Sequence, residues 1–188
     1  MTIKFSLKWI FWLLIGVALL QPSVAQAYGG ILTHGRPIAS TPFDDKVYGV
    51  LPEEPLIRRL PKKSVDDLFA VARSFRYVHV PESPWRTPEE IQASGSGDCA
   101  DKSVWLYDQL KKNSYENVHL VIGKYRRIDS FFHVWVVYVD DQGKTFLLDP
   151  TIQKRIWESG QFKEGFYTAF YSYDGENRYY YDSLRRTK

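Results

Sequence analysis

Apolar residues recur at helical spacing in the middle of the chain and at strand spacing after it. Val65, Leu68, Phe69, Ala72 and Phe75 share one helical face. Ser64 and Asp67 make an S-x-x-D start, so the pattern predicts a helix over 64–75. Tyr77 to Val80 reads as a short extended piece, ended by Pro81 and Pro84. Thr87-Pro88-Glu89-Glu90 predicts a short helix, with Thr87 capping, Pro88 at the first position, Glu90 closing a capping box and Gly95 ending it. A stripe of Val104, Trp105, Leu106, Tyr107 and Leu110 predicts a third helix, from about Ala100 to Lys112, with Asp98 as its N-cap.

Strand patterns follow over Val118–Gly123, Phe131–Val139 and Thr145–Asp149. The near-continuous apolar run 131–139 predicts a central strand buried on both faces. Asp141-Gln142-Gly143 fits a three-residue hairpin loop with Gly143 in the left-handed position. That loop pairs Asp140 with Lys144 and sets Asp149 opposite Trp135. His133, Trp135 and Asp149 then share a face, with His133 and Asp149 as diagonal neighbours. A two-residue loop at Gln142-Gly143 would turn Asp149 to the other face. Ile152–Trp157 reads as a further short element. Phe166–Tyr173 and Tyr179–Asp182, around Asp174-Gly175-Glu176-Asn177, read as a Tyr-rich hairpin. Its alternating tyrosines are assigned to covering a sheet face, without chemistry.

The two ends follow neither pattern. Lys4 and Lys8, the apolar run Trp9–Leu20 and Ala25-Gln26-Ala27 have the layout of a secretory signal peptide over 1–27, with cleavage expected before Tyr28. The run is shorter than the roughly 20 residues that span a bilayer. No cysteine follows the cleavage site, which argues against a lipoprotein. Residues 28–61 carry five of the ten prolines and read as an extended, largely irregular arm. One domain is expected over 62–184, with a solvated basic tail over 185–188.

Removing residues 1–27 takes away two lysines and no acids, which lowers the formal charge from +3 to +1. Such a balance argues for neither nucleic acid nor an anionic membrane surface as partner. Export also makes the cysteine count informative, because Cys99 is the only cysteine and cannot form an internal disulfide. It is a buried small hydrophobe, a site of intermolecular pairing or a reactive thiol. Its setting, Ser94-Gly95-Ser96-Gly97-Asp98-Cys99, is polar and flexible, which argues against a core position. At the first turn of a helix a thiol meets unpaired backbone N–H groups and the positive end of the macrodipole, and both favour the nucleophilic thiolate. The glycines, Gly97 among them, would let a substrate backbone approach closely.

These positions make a candidate nucleophile, base and orienter set of Cys99, His133 and Asp149. Asp149 would fix the imidazole tautomer and favour its charged form. The Cys99 backbone N–H would serve an oxyanion, with Gln92 as candidate second donor and Trp85, Gly97 and Trp135 as candidate groove residues. His34 lies in the arm, and His79 and His119 have no acid placed in the same way. By spacing alone, chance and catalysis explain the three residues about equally well. No His or Cys pair shows metal-ligand spacing, so neither metal nor cofactor is expected.

Gly97-Asp98-Cys99-Ala100-Asp101 before a helix, then His133-Val134-Trp135-Val136, then Leu147-Leu148-Asp149-Pro150-Thr151, resembles the transglutaminase-like superfamily of papain-type cysteine enzymes. Trp85-x-Thr87-Pro88-x-Glu90, leading into Gly95-x-Gly97-Asp98-Cys99, resembles its bacterial transglutaminase-like cysteine proteinases. The likeness runs from Ser64 to Ile156. It implies an α+β, papain-like fold whose cysteine helix packs on an antiparallel sheet, the triad Cys99, His133 and Asp149, and a periplasmic endopeptidase. The best known members clip large surface adhesins, which would make a cell-surface protein or peptide the partner. Those members bind calcium through an Asp-Cys-Glu arrangement, whereas Ala100 stands here in the glutamate's place, so calcium is not carried over. Two alternatives remain at this point: acyl transfer to an amine by the same triad, and a non-catalytic envelope binding module on the same fold.

Overall fold

A computed structural model describes residues 32, 35–51, 62–79, 84–126, 131–161 and 166–182. The expected signal peptide, much of the arm and the basic tail lie outside the described residues. Among the described residues, no helix is long and apolar enough to cross a membrane.

Local capping sets the three main helices. Helix α2 (Val65–Ser74) starts at Ser64, whose side chain accepts from the Asp67 N–H. Helix α3 (Pro88–Ser94) has the full Thr87/Glu90 capping box and ends at Gly95 in the left-handed conformation, φ 59°. Helix α4 (Cys99–Lys112) starts at Asp98 and carries a second capping box, closed by Asp101. Between α2 and α4, the short strands β2 (Arg76–Tyr77) and β3 (Ser96–Gly97) run parallel, which holds the chain entering α4 against the exit of α2.

The main sheet combines β1 (Arg36–Pro37), β4 (Val118–Tyr125), β5 (His133–Val139), β6 (Thr145–Leu148), β7 (Trp157–Glu158), β8 (Tyr167–Asp174) and β9 (Asn177–Tyr180). Its order is β1-β9-β8-β4-β5-β6-β7, and every pairing is antiparallel. Helix α4 lies across β4 and β5, with α2 and α3 packed on α4. The result is an α+β fold with the cysteine helix on an antiparallel sheet.

Alternation along β5 divides the core in two. Val134 and Val136 meet Leu106 and Leu110 of α4 on the helix side. Trp135, Val137 and Val139 face a second cluster with Leu32, Val121, Leu147, Ala169 and Tyr181. The strand is therefore buried on both faces. It lies beside the middle of the sheet, which is β4. It also begins two residues later than its apolar run. Phe131 is 80% exposed beyond the sheet end, and Phe132 packs edge-on against Phe43 with ring centroids 5.1 Å apart.

The β5–β6 hairpin has the three-residue loop. Val139 pairs with Thr145 and Val136 with Leu148, the Asp140 N–H donates to the Lys144 carbonyl at 3.0 Å, and Gly143 has φ 77°. The expected element over 152–157 is instead a turn after Asp149 followed by β7. The arm departs from its expected irregularity. Strand β1 pairs with β9, helix α1 (Asp44–Tyr48) follows it, and Leu32 and Val47 are buried. Composition misleads here because Pro37 sits on an edge strand, where a missing N–H costs no ladder bond.

The β8–β9 hairpin turns at Gly175-Glu176. Strand β8 carries a bulge where it meets β4 between Ile122 and Gly123. A Cβ at Gly123 would run into the Thr168 carbonyl and lie 2.7 Å from Trp135 Cη2. Glycine at that point lets β8 close over Trp135, and so brings Tyr167 to the sheet end where β5 begins.

Candidate active site

Three chain reversals converge at that end of the sheet. Gly95 turns the chain out of α3, Asp98 caps α4, and the turn after β6 is built on Asp149. Asp98 Oδ1 accepts the N–H groups of Ala100 at 2.9 Å and Asp101 at 3.1 Å, and the Asp98 carbonyl accepts the Lys102 N–H at 3.1 Å. Cys99 is thus the first residue of α4 and partly buried, and its N–H is one of those a helix start leaves without an intrahelical acceptor. Ser103 Oγ, one turn on, donates to the Val134 carbonyl at 2.9 Å and ties α4 to β5 beside His133.

His133 is 8% exposed, and its Nε2 lies 2.7 Å from Asp149 Oδ2. With Nε2–H donating to the carboxylate, Nδ1 is the nitrogen left for Cys99. Burial works against a charged imidazole here. Hydrogen bonds and charge from Asp149 and Cys99 outweigh it and raise the His133 pKa to about 9. His119, whose Nδ1 lies 3.4 Å from Ser172 Oγ, shows the opposite balance. It is held down to about 4, mainly by desolvation, with the Asp174 charge opposing.

Asp149 is fully buried and has donors on both oxygens. Oδ1 accepts the N–H groups of Thr151 at 2.9 Å and Ile152 at 3.1 Å, and Oδ2 also accepts the Tyr167 hydroxyl at 2.8 Å. Tyr167 in turn accepts from Gln153 Nε2 at 2.7 Å, and Gln153 Oε1 accepts from Trp157 Nε1 at 2.7 Å. A chain of donors therefore runs from the Trp157 indole to the acid. Burial first, then the Asp149 charge, push the Tyr167 hydroxyl far above its ordinary value and keep it a donor. Lys102, buried behind Cys99, donates to the Arg73 carbonyl at 3.3 Å. Burial, then the Arg73 charge, lower its pKa, while the Asp149 charge opposes them.

The structure brings Cys99, His133 and Asp149 together but not all the residues proposed around them. Gln92 lies on the exposed face of α3, in a groove with Pro88, Glu89, Ala93, Trp105 and Gln109. It makes no hydrogen bond to the three, because its neighbour Ile91 takes the core-facing position of that short helix. Trp135 is no groove wall. It is fully buried and stacks under the His133 ring, with centroids 5.9 Å apart and planes 25° from parallel. Gly97 is buried, and the space a Cβ would take there is filled, with Asp101 Cβ at 2.6 Å and Arg86 Nη2 at 3.2 Å from that position. Trp85 is half-buried and packs on the helix-side core.

Tyr167 is the residue that sequence reasoning missed; the Tyr-rich pattern marked it only as sheet cover. Its bond predicts a measurable effect. Tyr167→Phe removes one of the two side-chain donors on Asp149 Oδ2, so the carboxylate holds the imidazolium more strongly. The His133 titration, followed by ring-proton NMR, should move upward by up to about one unit. An unchanged or lowered titration would remove Tyr167 from the electrostatics of the site.

No protein family and no curated protein matches this sequence. Solved structures do. Legionella pneumophila LapG superposes with a TM-score of 0.54 at 16% identity, over 78% of this chain and 81% of that one. A calcium-bound form of the same protein gives 0.54 at 16% identity, over 73% and 75%. An EGTA-treated form gives 0.55 at 15% identity, over 76% of each. At this identity the likeness is one of fold.

Proposed function

We propose that this chain is an exported cysteine peptidase that cleaves an amide bond through an acyl-enzyme on Cys99. One observation carries the reading: a buried imidazole bonded through Nε2 to a fully buried carboxylate, with Cys99, at a helix start, as its other side-chain partner. Cys99 Sγ attacks the carbonyl carbon, and the oxyanion meets the Cys99 N–H at the start of α4. His133 gives its proton to the departing amine as the C–N bond breaks, which leaves a thioester. Water then transfers a proton to His133, its oxygen bonds to the carbonyl carbon, and the C–S bond breaks.

Exposed apolar side chains next to each of the three residues favour an extended polypeptide as substrate. Phe131 and Phe132 precede His133, Ile152 follows Asp149, and Tyr77 stands near enough to Cys99 to feel its charge. The leader pattern over 1–27 supports a periplasmic place of action and a cell-surface protein as target. Digestion of a peptide library by the chain without residues 1–27, read by mass spectrometry with and without an added primary amine, tests the proposal. New amine termini that vanish with Cys99→Ala are the expected result. Cleavage that survives Cys99→Ala would overturn it, and products carrying the added amine would reassign the chemistry to acyl transfer.

A further inference from the structure

One of the similar LapG structures is calcium-bound and another was treated with EGTA, so the residues around Cys99 can be tested against calcium. Calcium takes six to eight oxygen ligands. This loop does not offer them. Asp98 Oδ1 is occupied by the two N–H groups it caps. Ala100 is 4% exposed and packed into the apolar core, so that position supplies no oxygen and has no room for an acid. Asp101 Oδ1 accepts the Arg86 N–H at 3.1 Å, and its Oδ2 accepts Arg86 Nη2 at 2.7 Å, Arg86 Nε at 3.1 Å and the Asp98 N–H at 3.3 Å. Among the described residues no cluster of three His, Cys, Asp or Glu could hold a metal.

The Arg86 guanidinium stands where these acceptors converge. Beyond Asp101, its Nη2 donates to the Ser96 carbonyl at 2.7 Å and its Nη1 to Ser94 Oγ at 3.2 Å. One side chain thus joins the end of α3, strand β3 and the first turn of α4, the three pieces that place Cys99. Gly97 is glycine because a Cβ would enter the Asp101–Arg86 pair. We infer that Arg86 is the resident cation of the nucleophile loop, a positioning residue that neutralises Asp101, ties down the Ser96 carbonyl and makes this site independent of calcium. The inference rests on the proposal that Cys99 is the nucleophile. Arginine suits the task because a planar fork of donors engages a carboxylate and a carbonyl together, which an ammonium cannot do.

The test measures thermal unfolding and the pH profile of Cys99 alkylation by iodoacetamide, each in EGTA and in about 5 mM calcium, above the range of weak extracellular calcium modules. Wild type, Arg86→Gln and Arg86→Lys are compared at a temperature where all are folded by circular dichroism. Wild type should be the same with and without calcium. Arg86→Gln should alkylate at least about tenfold more slowly at pH 6, with a steeper rise towards pH 8, and Arg86→Lys should fall between the two. A calcium-dependent gain in wild-type stability or alkylation would overturn the inference, and so would a wild-type profile in folded Arg86→Gln. The calcium comparison needs no variant, so a misfolded Arg86→Gln leaves it decisive. If His133→Ala also alkylates like wild type, the nucleophile reading has failed; if only Arg86→Gln does, the clamp has failed.

Discussion

Cys99 should alkylate at a nearly constant rate between pH 6 and pH 8, and His133→Ala should turn that plateau into a rise of about a hundredfold. An unpaired thiol titrates near 8.5, so its thiolate fraction grows about tenfold per pH unit across this interval. Here hydrogen bonds and charge from Asp149 and Cys99 overcome burial and raise the His133 pKa to about 9, so under the proposed mechanism the imidazolium would be present as a partner for the nucleophile across the whole interval. The same shift makes folding pH-dependent. The folded pKa of about 9 lies above the reference value of 6.5. The pairing therefore stabilises the native state fully below about pH 6.5 and is lost as pH rises through 9. Urea unfolding should show stability falling between pH 7 and pH 10 by up to about 3 kcal/mol, and His133→Ala should flatten that slope. A wild-type alkylation rate that climbs with pH like that of a free thiol would rule out the ion pair.

Asp149→Ala should be the most destabilising substitution at the site. It leaves His133 Nε2, the Tyr167 hydroxyl and the N–H groups of Thr151 and Ile152 without their acceptor in a fully buried position. Breaking a buried charge pair of this kind costs about 3–5 kcal/mol, which lowers the melting temperature of a domain this size by roughly 10 °C. Asp149→Asn separates structure from chemistry. It keeps one acceptor oxygen for the turn and presents an amide N–H₂ to the other partners, so less stability is lost. The imidazolium nevertheless loses its counter-charge, and the alkylation plateau should disappear. Calorimetry and alkylation on the two variants check this. A melting temperature for Asp149→Ala within a degree or two of wild type would mean that the carboxylate organises nothing.

What was legible in the sequence is what depends on neighbours along the chain. Ser64, Thr87 and Asp98 cap helices through groups two or three residues away, so their roles are visible in short motifs. The pairing of His133 with Asp149 is nearly as local. Once Asp141-Gln142-Gly143 is read as the loop, alternation fixes which side chains share a face. Tyr167 reaches Asp149 from β8, with β4 and β5 standing between that strand and β6, and no motif encodes that order. Arg86 and Asp101 are fifteen residues apart across a helix and a strand, and Asp101 alone reads only as an acid in the first turn of a helix. Gln92 was misplaced for the same reason: its rotation on α3 is set by Ile91 seeking the core, a tertiary preference that a single polar residue does not reveal.

Strand β1 has a consequence for how copies of this chain meet. Without it, β9 would end the sheet as an open ladder of backbone donors and acceptors, on which another chain could continue the sheet. Two residues cover that ladder, Arg36 opposite Tyr180 and Pro37 opposite Tyr179. The proline has no N–H to offer outward, and the arginine, 5.0 Å over the Tyr180 ring, sets a charge at the rim. The β9 edge is therefore covered by a short strand that offers little backbone for another chain to continue.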